Sequence, residues 1–153
     1  MKRSVLLLVS MFFIAGIASA QSANRVTEIL GEKQVTYGEI AYLADSELNL
    51  VKESASYDEA LNIAIEKGLI KGSPASSDPI DYAAFAYACS KTWNINESLF
   101  YKITKSPRYA FKQLQALGII PSTADPAQTI TGRNALNIIT LCIEQFGSEG
   151  GEQ

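Results

Sequence analysis

The chain has no histidine and only two cysteines. The first absence removes Ser-His-Asp and Cys-His nucleophile pairs together with the commonest metal ligand. Two cysteines alone do not supply a structural zinc site. A phosphate-cradling glycine loop is also missing, since Gly68-Leu69-Ile70-Lys71-Gly72 has the wrong spacing and follows a helical pattern rather than a strand. There is no cationic excess either. The whole chain carries 13 basic and 16 acidic residues. Two of the basic ones, Lys2 and Arg3, lie in a segment expected to be removed, which leaves a charge of about −5 on the rest. That balance argues against nucleic acid as a partner. With these chemistries gone, no catalytic residue, metal site or cofactor is expected.

One long hydrophobic run exists, and it opens the chain. Lys2 and Arg3 precede an apolar stretch from Val5 to Ile17, broken only by Ser10 and Gly16, and Ala18-Ser19-Ala20 closes it. This is the pattern of a secretory signal peptide over residues 1–20, cleaved between Ala20 and Gln21. The run is shorter than the roughly 20 residues that a spanning helix needs. The expectation is therefore an exported chain, periplasmic or associated with the cell envelope, with no membrane span after processing. No cysteine follows the cleavage point, so nothing supports a lipid anchor there.

What the remainder does have is a repeat. Ala60, Leu61, Ala64, Gly68, Leu69, Ile70 and Ile80 stand a constant 50 residues before Ala110, Phe111, Leu114, Gly118, Ile119, Ile120 and Ile130. Each copy carries an Asp-Pro in its connecting loop, Asp78-Pro79 and Asp125-Pro126. Residues 35–44 line up without a gap on residues 80–89. In both, an aliphatic residue precedes a capping Thr36 or Asp81 and then a helix. Ile130-Thr131 opens the third copy, and Ala135, Leu136, Ile138, Ile139, Cys142, Ile143 and Phe146 follow at helical spacing. Gly68 and Gly118 are expected to end their helices in the left-handed conformation. The predicted fold is all-α: tandem helix-loop-helix repeats, two full units and a preceding half unit, packed as one small bundle over residues 35–146. Residues 21–34 read as a weakly ordered lead-in and residues 147–153 as a disordered tail. An insertion from Trp93 to Ser106 holds Trp93, Phe100 and Tyr101, which serve either as a ligand platform or as packing for a linking helix.

Cys89 and Cys142 each fall on the apolar side of a predicted helix. In an oxidising compartment they either form a disulfide between the second and third units or stay as two buried thiols, and their spacing does not choose between these.

The stretch Tyr57-Asp58-Glu59-Ala60 through Gly68-Leu69-Ile70-Lys71-Gly72, then Pro79-Ile80-Asp81-Tyr82, resembles a surface-layer homology repeat. Residues 107–146 are similar, and residues 35–50 are similar to the second half only. The resemblance implies a pseudo-threefold bundle of helical hairpins that holds a secreted protein to cell-envelope polysaccharide. Where the family has an arginine after Ile-Thr, this chain has Tyr37 and Tyr82, and in the third unit the arginine is displaced by one position to Arg133. Recognition of an anionic glycan by guanidinium forks is thereby lost from two of three positions.

Tyr37, Tyr82 and Arg133 open equivalent helices and are the ligand-binding candidates. Tyrosine offers a sugar a stacking face and a hydroxyl, and Arg133 an ionic grip on an acidic group. The alternative is two packing tyrosines and a solvated arginine. The chain is read as an exported, non-enzymatic module that binds an envelope glycan or an envelope protein. A competing class is a periplasmic assembly protein that acts through protein-protein contacts, for which the aliphatic stretch Leu136 to Ile143 would serve. A glycan-cleaving enzyme built on Glu97 is the minor alternative, since no second carboxylate is paired with it in the sequence.

Overall fold

Short polar residues set where the helices begin. The computed structural model describes residues 23–147. They form α1 (residues 23–31), α2 (Tyr37–Glu47), α3 (Tyr57–Glu66), α4 (Tyr82–Thr92), α5 (Leu99–Thr104), α6 (Pro107–Ala116) and α7 (Gly132–Phe146). The side chains of Thr36, Ser56, Asp81, Ser98, Ser106 and Thr131 each accept a hydrogen bond from the backbone N–H three residues on, at the open first turn of the helix that follows. Thr36 completes a capping box, its own N–H donating to the Glu39 carboxylate at 2.8 Å. At the other ends, Gly68 (φ 71°) and Gly118 (φ 73°) take the left-handed conformation expected of them. The amides of Leu69 and Ile70 then both turn back to the Ala64 carbonyl, as those of Ile119 and Ile120 do to Leu114.

The bundle is all-helical among the described residues, and its centre is made by three short extended segments, one before each of α2, α4 and α7. Thr36 pairs with Pro79 and Asp81 with Thr129 in single antiparallel bridges. The Val35 N–H donates to the Ile130 carbonyl at 2.9 Å, and the Ile80 N–H to the Val35 carbonyl at 3.0 Å. Val35, Ile80 and Ile130, which the sequence alignment already equates, are each 0 % exposed. They are the hub on which the three units meet. Around it, α3 lies along α2 and α6 along α4, and Ala60, Leu61, Ala64, Ala110, Phe111 and Leu114 fill the core between them.

Each helix start is also stitched to the unit that follows it. Tyr37 and Gly38 donate their N–H groups to Asp78 and Ser76, and Tyr82 and Ala83 to Gln128 and Pro126. The third contact closes the ring: the Gly132 N–H donates to the Glu32 carbonyl at 2.9 Å. Here the structure corrects the sequence-based expectation. Residues 23–31, read as part of a weakly ordered lead-in, are helical, and Ile29 is 0 % exposed in the core. With α1 in the position that α3 and α6 hold elsewhere, the half unit has its first helix, joined to α2 by a short connection.

The linking helix α5 is anchored by one amide side chain. Gln113 on α6 accepts from the Ser98 N–H at 2.8 Å and donates to the Ile95 carbonyl at 2.9 Å. The insertion's aromatics divide accordingly. Tyr101 is buried and Trp93 packs against the core, whereas Phe100 is exposed and stacks on Tyr109. Gly147 follows α7 directly. The signal segment, its cleavage point between Ala20 and Gln21, and residues 148–153 of the tail lie outside the described residues.

Candidate binding groove between the units

Where α2 of the first unit meets α4 of the second, the side chains leave an opening of about 240 Å³. Tyr37 stands on one side as the first residue of α2. Tyr87 faces the same space from the second turn of α4, and Ala83 and Ala84 are the small residues on that helix that leave room for it. Lys71, in the loop after Gly68, and Asp81, the cap of α4, supply one charge of each sign. Ile70 and Pro107 complete the lining.

The arrangement is held from within. Asp81 is committed to the backbone, accepting from the Ala84 N–H at 2.8 Å. The Lys71 ammonium lies 4.9 Å from the centre of the Tyr87 ring, a cation-π placement, and donates to the Lys105 carbonyl. Burial raises the pKa of the Tyr37 hydroxyl, and the carboxylates of Asp81 and Asp78 push it the same way. Burial also raises that of Tyr87. Both phenols therefore stay protonated and able to donate at any ordinary pH. The groove offers the half-buried ring of Tyr37, one ammonium and one carboxylate, while Tyr87, 5 % exposed and covered by Lys71, forms its floor.

Of the three sequence-based candidates, Tyr37 alone lines this groove. Tyr82, its counterpart on α4, is only 5 % exposed. Its ring meets Phe111 edge-on at 6.4 Å, and its hydroxyl accepts from Asn134 Nδ2 at 3.2 Å, which joins the second unit to the third. Arg133 is exposed at the start of α7, where that helix meets the end of α1. The three positions surround one hub, but their side chains occupy three separate junctions. Glu97 is exposed on the loop that leads to the Ser98 cap.

Two groups were missed in the sequence. Tyr87 and Lys71 lie on the second helix and in the loop of the same unit, and only the packing of that unit on the one before puts them beside Tyr37. A signal for Tyr87 did exist: Ala83, Ala84 and Tyr87 share one face of α4 at helical spacing. Arg25 is the second case. Its guanidinium lies 4.4 Å from the Tyr42 ring centre and 5.2 Å from that of Tyr57, and it donates to the Ala55 carbonyl at 2.7 Å. A shallow cleft lined by Asn24, Arg25, Glu28 and Ser54 opens beside it.

Cys89 and Cys142 are both buried and free, and their side chains lie within hydrogen-bonding reach of each other between α4 and α7. Burial, and then the Cys142 thiol, raise the pKa of Cys89 well above the usual thiol range, so the Cys89 thiol stays protonated in the folded protein. Oxidation by a disulfide donor would take one hydrogen from each thiol and join the two helices. Protein held under oxidising conditions and then denatured is expected to show no titratable thiol until it is reduced. Two thiols titrating without reduction would leave the pair as small buried hydrophobes.

No protein-family model matches the chain, and no curated protein matches it in sequence.

Proposed function

We propose that this chain is an exported, non-enzymatic module, of surface-layer-homology-like build, that holds to a glycan of the cell envelope through the groove between its first and second units. The observation that carries this reading is the half-buried Tyr37 ring beside an opening of about 240 Å³, whose floor is the Lys71–Tyr87 pair. Sugar rings stack on aromatic faces, and their hydroxyls match neutral phenols together with a few charged groups. The groove has one ammonium and one carboxylate and no guanidinium, so it suits a sugar of low charge better than a polyanion.

Co-sedimentation with sacculi of the host, before and after attached polymers are stripped, tests this. Retention that survives stripping identifies the glycan backbone as ligand, and retention lost on stripping identifies an attached polymer. The Tyr37→Ala variant is expected to bind about tenfold more weakly, the loss of one ring-sugar contact. Arg133→Ala, altered at a different junction, is expected to keep its binding. Failure of the unaltered chain to sediment with either material would overturn the glycan reading and favour a protein partner.

A further inference from the structure

The short helix α5 presents apolar side chains to solvent. Leu99 is 67 % exposed, Phe100 62 % and Ile103 73 %, although the turn that carries them is anchored through buried Tyr101 and the Gln113 bonds. Leu99 and Ile103 are four positions apart, and Phe100 and Ile103 three, so all three project from one side of the helix. Phe100 extends the patch by stacking on Tyr109 at 5.5 Å and 15°. The stretch of sequence that carries it is cationic in a chain that is otherwise acidic. Between Glu97 and Asp125 there are Lys102, Lys105, Arg108 and Lys112 and no acidic residue. Lys112 stands 5.8 Å from the Tyr109 ring centre, and Lys71 reaches the Lys105 carbonyl from the neighbouring unit.

We infer that this knob docks the protein on an anionic lipid bilayer, with Leu99, Phe100 and Ile103 seated at the level of the headgroups and the surrounding lysines on lipid phosphates. The physics is that of interfacial anchors: exposed apolar and aromatic side chains supply the insertion, and a basic rim supplies the attraction to an anionic surface. The bilayer is favoured over a soluble polyanion because a polyanion has no use for three exposed apolar side chains. The knob adjoins the groove through Lys71 and Pro107, but its three apolar side chains lie outside the groove's lining.

The test is sedimentation of the chain lacking residues 1–20 with vesicles of phosphatidylcholine alone or mixed with phosphatidylglycerol. Removing that segment leaves the core from Ile29 to Cys142 whole. Binding to the mixed vesicles only is expected, weakening as salt rises. The double variant Phe100→Ser/Ile103→Ser should lose at least about tenfold in partitioning, and Lys102→Glu/Lys112→Glu a similar amount. These positions are on the surface, so unchanged circular dichroism shows that a loss is not unfolding. Three results would overturn the inference: no binding to mixed vesicles, equal binding by the apolar double variant, or attachment that salt abolishes and the serine substitutions leave untouched. The last would mark the knob as a purely ionic site for an anionic polymer.

Discussion

Replacing Gly132 with alanine is expected to cost the fold about 3 kcal/mol, at the upper end of what overpacking a core exacts. A Cβ at this position would stand 1.6 Å from the Ile29 carbonyl oxygen and 2.7 Å from its carbon. Both are backbone atoms, so no side chain can rotate aside. Gly132 also donates to the Glu32 carbonyl, and that bond breaks if α7 backs away to make room. The choice for the variant is to displace α7 from the hub at Ile130 or to let α1 leave the ring. Since α1 contributes chiefly Ile29 to the core, its departure is the cheaper route. A midpoint of thermal unfolding lower by roughly 10 °C is expected, together with protease cleavage near residues 23–31 that the unaltered protein resists. Gly38→Ala is the comparison. There the added Cβ would meet the Tyr57 and Ser76 Cβ atoms at 2.8 and 2.9 Å and the Ser76 carbonyl oxygen at 3.0 Å, a milder overlap, and a smaller loss is expected. A Gly132→Ala protein as stable as the original would show that α1 is not seated on α7.

That glycine also marks where sequence reasoning stops. The caps at Thr36, Asp81 and Thr131 and the glycines that end α3 and α6 were legible because each acts within four residues of itself. The identity of Val35, Ile80 and Ile130 was legible because the repeat compares like with like. α1 was not, because its sequence has no aligned partner and few apolar residues. Contacts distant in sequence hold it instead: Gly132 against Ile29, and Arg25 over Tyr42 and Tyr57. The groove shows the same division. Tyr37 and Tyr82 look equivalent in sequence, yet Phe111 and Asn134 close over Tyr82, while Ala83 and Ala84 leave space beside Tyr37. Nothing local to either tyrosine distinguishes them, and the difference lies in what the next unit presents.

A buried acid contributes to the stability of this protein with a pH dependence opposite to that of an ordinary paired carboxylate. Asp45 lies in the last turn of α2, is 0 % exposed, and has neither carboxylate oxygen hydrogen-bonded among the described residues. Burial raises its pKa to about 7, and the negative end of the helix dipole disfavours its charge as well. In the unfolded chain the same group titrates near 3.9. The folded state therefore holds its proton more tightly, and the contribution of Asp45 to stability is greatest below about pH 4, declines as pH rises from about 4 to 7, and stays at its lower value above that. A shift of this size corresponds to about 4 kcal/mol in full, and relaxation around the charge reduces it to about 2 kcal/mol. Asp45→Asn has the same shape and no charge. Compared by urea unfolding, the variant and the original should differ little at pH 4, and at pH 8 the variant should be the more stable by about 2 kcal/mol. Because the other carboxylates titrate identically in both proteins, the pH dependence of this difference belongs to Asp45. A constant difference from pH 4 to pH 8 would mean that Asp45 is ionised throughout, with water or a partner reaching it, and that α2 ends in a polar site rather than a dry one.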